Sequence, residues 1–165
     1  MLRRLLLSFC LVALAHNAHA FPALVVAVHD GDTITAETPG GTMTCRLAGI
    51  DSPEIQWNGR WDTQPYAEDA RATLSNMVLG ETVEVEETGQ RSYERVVCRL
   101  RLGTLDVQEQ MIRAGAAWNA VQFEPTDERD PLLASLQADA QAHHRGLWAL
   151  TNPIPPWRWR NPQAQ

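Results

Sequence analysis

Short runs of strand-forming residues, separated by turn residues, make up most of the chain up to residue 102. Asp30-Gly31 and residues 38–41 (Thr-Pro-Gly-Gly) carry turn chemistry between the first three runs. In the last run, Val96, Cys98 and Leu100 alternate with Arg99 and Arg101, which indicates a sheet with one face in water. The predicted strands cover residues 23–29, 32–37, 42–48, 82–87 and 96–102.

Apolar residues at helical spacing predict two helices in the middle of the chain. The first follows Pro65 and ends before Gly80. Its expected inner face consists of Ala67, Ala70, Leu74 and Met77. A second, short helix opens with the capping-box pattern of Asp106 and Glu109 and ends at Gly115.

A third helix is predicted after Asp130-Pro131, with Gly146 as its stop. Its inward positions are expected to be Leu132, Leu133, Leu136 and Ala140. The element order is then β-β-β-α-β-β-α-α, which predicts an α+β fold built on the five-stranded barrel of an OB-fold. Residues 21–150 are expected to form this domain, and the Pro- and Trp-rich residues 151–165 an extended tail.

The first twenty residues have the pattern of a secretory signal peptide. A basic start precedes an apolar run of eleven residues, and Ala18-His19-Ala20 supplies a small-residue cleavage site. The run is too short to span a bilayer, which takes about twenty residues. Cys10 lies inside it, not after a cleavage box, which disfavours a lipid anchor. We expect a mature chain from about Phe21, exported to the periplasm or secreted, monomeric, and without stable membrane association.

The charge balance disfavours an unassisted grip on nucleic acid. Without Arg3 and Arg4 the chain keeps 12 basic and 20 acidic residues, a net charge of −8, and every basic residue is Arg. An acidic protein that binds polyanions must concentrate its cations or use a metal.

Four charged residues suggest a metal-assisted site. The Asp30-Gly31 turn does not account for Asp32, which stands at the start of the next predicted strand although Asp is depleted in strands. Asp51 and Glu54 flank a stiff Ser-Pro pair, and Arg46 lies on the polar face of its strand. Carboxylates with a backbone carbonyl suit a hard cation such as Ca²⁺, and a further carboxylate can act as a base. Each residue taken singly also fits an ordinary exposed turn or strand position.

Together these residues resemble a known family. "DGDTI", "RLAGIDSPE", Tyr-x-Arg before a strand, "MIRAGAAW" and "GLWA" are similar to the staphylococcal-nuclease-like (thermonuclease) family over residues 24–150. The resemblance implies an OB-fold nuclease that hydrolyses single- or double-stranded DNA and RNA with Ca²⁺ and leaves 3′-phosphate ends.

The resemblance also assigns roles, residue by residue. Asp32 and Asp51 match the metal carboxylates, and Ser52 matches a backbone-carbonyl ligand. Glu54 matches the general base. The phosphate-binding arginines correspond to Arg46 and Arg95, and an aromatic residue beside the nucleotide corresponds to Tyr93.

Two departures from the family pattern predict weakened substrate affinity. Glu94 replaces the usual Gly before Arg95, and a nearby Lys-type cation is missing. Val121 and Phe123 stand where the family often has stacking tyrosines, which could cost about 1–3 kcal/mol of nucleotide binding.

Strand alternation places Cys45 and Cys98 on the apolar face, opposite the arginines. They could form a disulfide there or remain two buried free thiols, and the sequence does not decide between these alternatives. His29, close to the candidate site, is expected to be incidental or supporting. His143 and His144 are expected to face solvent.

Two alternatives to a nuclease remain at this point. One is a non-catalytic OB-fold module that binds nucleic acid, which the low content of cations favours. The other is an envelope protein with a vestigial nuclease site. Retention of Glu54 argues for the enzyme, because a binder has no need of a general base.

Overall fold

Five strands form a closed barrel in a computed structural model that describes residues 20–56, 58–120 and 130–163. The strands in chain order are β1 (Phe21–Val28), β2 (Thr33–Thr38), β3 (Gly41–Leu47), β4 (Ile50–Asp51), β5 (Thr82–Ser92), β6 (Arg95–Leu102), β7 (Leu105–Asp106) and β8 (Trp118–Asn119). Antiparallel pairing joins β3, β2, β1, β5 and β6 in that order, and a parallel pairing of β3 with β6 closes the barrel. The predicted α+β OB-fold is confirmed.

Helices pack around the barrel, and the three longer ones follow the predicted signals. They are α1 (Ala67–Val78), α2 (Val107–Arg113), α3 (Pro131–Ala142) and the short α4 (Pro156–Arg160), with a 3-10 helix at Gly146–Ala149. The carboxylate of Asp106 accepts a hydrogen bond from the amide of Glu109, and that of Asp130 accepts one from the amide of Leu132. These caps start α2 and α3 as the sequence predicts.

Two predictions about the C-terminal half are wrong. Leu132 is 44% exposed, because α3 buries Leu133, Leu136 and Ala140 and one turn cannot direct two adjacent leucines inward. The tail is not wholly extended, because α4 forms within it. Pro156 at the first turn has no need of an amide donor and presets its own φ, so this proline starts a helix.

Cys45 on β3 and Cys98 on β6 form a disulfide at the seam that closes the barrel. Both residues are fully buried, and their Cα atoms are 6.0 Å apart. The sequence left a disulfide and two free thiols as alternatives, and the structure has the disulfide.

Residues 1–19 of the candidate signal peptide lie outside the described residues, and so do Val121 and Phe123. What the sequence predicts for these positions stays a prediction. In the ranges 20–56, 58–120 and 130–163, the helices are too short and too polar to cross a bilayer.

Candidate active site

The turn between β1 and β2 places Asp32 in the interior. The Asp30 carboxylate accepts a hydrogen bond of 2.9 Å from the Asp32 amide, and Leu47 donates its amide to the Asp32 carbonyl at 2.8 Å. Asp32 precedes β2 and is only 5% exposed. The interpretation of Asp32 as an exposed turn flank is therefore wrong.

Gly31 is needed for close packing and not for a positive φ, contrary to the usual reason for glycine in such a turn. A Cβ at this position would lie 2.7 Å from the Cβ of Ser52 and 2.9 Å from the Cβ of Ala70 on α1. The absence of a side chain lets the turn press against both segments. Asp32 is thereby brought next to the chain that follows β4.

Asp51 enters the same cluster from the short strand β4, which pairs with β8. The side chain of Asp51 is fully buried. The backbone amide of Ser52 donates to Asp32 Oδ2 at 2.8 Å, so the two segments that carry the acids are directly bonded.

Arg46 bridges the two buried carboxylates. Its Nη1 lies 2.7 Å from Asp32 Oδ2, and its Nη2 lies 2.7 Å from Asp51 Oδ1. Burial would raise the pKa of Asp32, but the Arg46 guanidinium and the hydrogen bonds from Ser52 and Thr33 outweigh it and lower that pKa. Burial raises the pKa of Asp51, against the opposing effect of Arg160 and Arg46.

Glu54 borders the cluster and is positioned by Gln64, a residue that the sequence did not indicate. The amide of Glu54 donates to Gln64 Oε1 at 3.1 Å, and the amide of Gln64 donates to the Glu54 carbonyl at 2.8 Å. Gln64 is 4% exposed, so this clamp is rigid. Burial raises the pKa of Glu54, which suits a group that must accept a proton near neutral pH.

Arg95 reaches the cluster through Thr33. Its Nη1 donates to Thr33 Oγ1 at 3.2 Å, and Thr33 Oγ1 donates to Asp32 Oδ1 at 3.0 Å. Ser92 accepts two further hydrogen bonds from Arg95. The two arginines of the sequence hypothesis are therefore at one site, Arg46 inside it and Arg95 at its edge.

The remaining predicted contact residue, Tyr93, lies in the turn between β5 and β6 and is 88% exposed. Its ring is open to solvent beside Arg95, and it does not belong to the buried cluster. His29 bonds Thr35 Oγ1 at 2.8 Å and is exposed. His143 and His144, directly after α3, are exposed as predicted.

Arg160, at the end of α4, is the principal residue that sequence reasoning missed. It donates to both carboxylate oxygens of Asp51, Nη1 to Oδ1 at 3.0 Å and Nη2 to Oδ2 at 2.8 Å, and it also contacts Glu54 Oε1. The "WRWR" segment, which concentrates two arginines in an acidic chain, was the available signal.

The donor set can be tested for its fit to a metal ion. Among the residues described, no three His, Cys, Asp or Glu side chains converge as a ready-made metal site. Asp32 and Asp51 are nevertheless buried, bridged by one guanidinium, and offer only oxygen atoms. Such oxygens fit a hard cation, which would need further oxygens from the backbone, water and substrate to complete its shell.

Comparisons with known proteins show the family of the chain. The family model described as staphylococcal nuclease homologue matches residues 44–150. An "uncharacterized endonuclease" of Escherichia coli is 36% identical over 139 residues, which cover 83% of this chain and 83% of that protein.

Similar proteins occur in other organisms. An "uncharacterized endonuclease" of Haemophilus influenzae is 34% identical over 82% of this chain and 71% of its own length. A "probable staphylococcal-like nuclease" of Oryza sativa is 36% identical over 70% of this chain and 31% of its own length. The family model and these relatives show that the chain belongs to the staphylococcal nuclease homologue family.

Proposed function

We propose that the protein is an exported, Ca²⁺-dependent nuclease that hydrolyses phosphodiester bonds of DNA, RNA or both. The observation that carries this proposal is the buried cluster in which Arg46 joins Asp32 to Asp51 and Glu54 lies at the border. The endonuclease names of its relatives support the same reaction class.

The residues of the chain have distinct tasks in this reaction. Asp32, Asp51 and the Ser52 carbonyl would hold Ca²⁺, which supplies Lewis-acid polarisation of a phosphoryl oxygen. Arg46 and Arg95 bind the other phosphoryl oxygens and offset the charge that develops in the transition state. The exposed ring of Tyr93 offers a surface for the nucleotide.

Glu54 takes the proton of the attacking water. The water oxygen forms a bond to phosphorus while the bond from phosphorus to the 5′-oxygen breaks, and the 5′-oxygen receives a proton from solvent. The products are then a 3′-phosphate and a 5′-hydroxyl. Gln64 acts as a positioning residue because it holds the backbone of Glu54 from both sides.

Export is part of the proposal. β1 begins at Phe21, where the mature chain is expected to start, and the Cys45–Cys98 disulfide suits an oxidising compartment. Cell fractionation followed by N-terminal sequencing tests it. We expect a periplasmic or secreted protein that starts near Phe21, and a cytoplasmic protein with Met1 would contradict export.

A cleavage assay tests the reaction. End-labelled single-stranded DNA is incubated with the protein in Ca²⁺ or in EDTA, and the products are treated with a 3′-phosphatase. We expect cleavage in Ca²⁺ alone and 3′ ends that become extendable by a polymerase only after the phosphatase. Arg46→Ala should lower the cleavage rate by about 10²–10³-fold, as removal of a group that stabilises an oxyanion does.

Arg101→Ala, which removes an exposed arginine of β6, is the matched control and should leave the rate unchanged. Cleavage that persists in EDTA and in Arg46→Ala would contradict the mechanism.

A non-catalytic nucleic-acid-binding module is the second candidate, and one observation favours it. The general base Glu54 is ion-paired with Arg160, which leaves it poorly placed to take a proton. Binding of DNA without cleavage in Ca²⁺ would favour this candidate over the nuclease.

A further inference from the structure

The C-terminal segment is fastened to the barrel next to the acidic cluster. Trp159 donates its indole NH to the carbonyl of Asp62 at 2.9 Å, and the buried Gln64 donates its side-chain amide to the carbonyl of Ile154 at 2.5 Å. The rings of Trp157 and Trp118 pack edge to face with centroids 5.7 Å apart. These contacts hold Ile154 just before α4 and two tryptophans within it, so the helix has a defined position.

This position of α4 brings the Arg160 guanidinium to Asp51. Arg160 contacts both oxygens of that carboxylate and reaches Glu54 as well, while Arg46 contacts Asp51 Oδ1 from the other side. The one carboxylate oxygen that Arg46 does not contact, Oδ2, lies 2.8 Å from Arg160. Asp51 therefore has little capacity left for a further strong partner.

The charge balance of the cluster also disfavours a divalent cation while Arg160 is in place. Asp32, Asp51 and Glu54 carry three negative charges when ionised, and Arg46 and Arg160 supply two positive ones. A divalent cation together with Arg46 would neutralise the three carboxylates, whereas with Arg160 in place as well the cluster would carry excess positive charge. In a buried site such an excess is costly, because solvent screens it poorly.

We propose that Arg160 is an internal competitor of the metal ion, so that α4 closes the unloaded site and cation binding displaces the guanidinium. The proposal rests on the proposed metal-dependent function. Only the side chain of Arg160 needs to move, because Ile154, Trp157 and Trp159 fasten the segment before it. Displacement also frees Glu54, so it converts a closed site into one in which the base is available.

The test is calorimetric titration of Ca²⁺ into the full mature protein after EDTA treatment and desalting, with no nucleic acid present. Arg160→Ala removes the competing cation, and Arg160→Gln removes the charge while keeping an amide in its place. Arg158→Ala is the matched control, because Arg158 is an exposed arginine of the same helix. Circular dichroism establishes that each variant is folded.

Both Arg160 variants should bind Ca²⁺ about tenfold more tightly than wild type, since a site that is open in about a tenth of molecules shows its affinity reduced by that factor. Arg158→Ala should match wild type. Equal affinity in wild type and both Arg160 variants would overturn the proposal, and so would weaker binding in those variants, which would make Arg160 a support of the metal site. In either case wild type still binds Ca²⁺ and the proposed function stands. No Ca²⁺ binding by any of the four proteins would also overturn this proposal. The proposed function is tested separately by cleavage in Ca²⁺ and in EDTA, because the substrate helps to complete the metal shell.

Discussion

At the scale of single residues, the site is a compact network of ion pairs between buried carboxylates and arginines. The sequence indicated Asp32, Arg46, Asp51 and Glu54 through motifs that lie close together along the chain. Arg160 could not be found in that way, because it is separated from Asp51 by 109 residues and no periodicity relates them. Only the fold brings such a pair together.

Asp30 provides a pH-dependent test of the cluster. Burial, with the neighbouring charge of Asp32, raises the pKa of Asp30 to about 8 from 3.8. The folded protein thus keeps a proton that the unfolded chain releases, and this group's contribution to the free energy of unfolding falls as pH rises from 3.8 to about 8. Asp30→Asn cannot ionise and retains the oxygen that accepts from the Asp32 amide. In EDTA, urea unfolding should show the variant gaining stability relative to wild type between pH 5 and pH 8. If the free energies of unfolding of the variant and wild type differed by the same amount at pH 5 and pH 8, the raised pKa of Asp30 would be contradicted.

At the scale of elements, caps and periodicity were sufficient for α1, α2 and α3, because each begins or ends with local chemistry written in a few adjacent residues. They were insufficient for α4, whose five residues lie in a Pro-rich tail. Isolated helices of this length are unstable in water, so α4 depends on tertiary packing that the tail sequence does not display. The short strand β4, which carries Asp51, escaped prediction for the same reason.

The turn between β1 and β2 tests how closely these elements must pack. Gly31→Ala places a Cβ within 2.7 Å of Ser52 and 2.9 Å of Ala70, so it should lower the free energy of unfolding by about 1–3 kcal/mol. Gly40→Ala is the matched control, since its Cβ would meet its nearest neighbour at 3.7 Å. Urea unfolding measures both. A Gly31→Ala protein as stable as Gly40→Ala would show that the turn has room.

At the scale of the whole molecule, the order of strands and helices was enough to predict the barrel, because an OB-fold fixes which strands meet. The closing contact between β3 and β6 is parallel and joins segments that are far apart in sequence, and Cys45 and Cys98 lie at that contact. Strand alternation placed both sulfurs on the apolar face. It could not show whether they meet, since that depends on the register of two distant strands.

The disulfide makes a prediction about the stability of the barrel. Mass spectrometry after alkylation of the unreduced, unfolded protein should find no modified cysteine in the mature chain. Reduction should lower the free energy of unfolding by about 2–4 kcal/mol, since the bond closes a long loop in the unfolded chain. Two alkylated thiols without reductant would contradict the disulfide.

In the proposed reaction, the cluster of Asp32, Asp51, Arg46 and Glu54 hydrolyses phosphodiesters with Glu54 as the base. The most direct test is the single-turnover cleavage rate of single-stranded DNA in saturating Ca²⁺ for Glu54→Gln, with the exposed Glu37→Gln of β2 as control. We expect a rate lower by about 10²–10⁴-fold for Glu54→Gln, with DNA still bound, and an unchanged rate for Glu37→Gln. Equal rates for Glu54→Gln and wild type would contradict the proposed reaction.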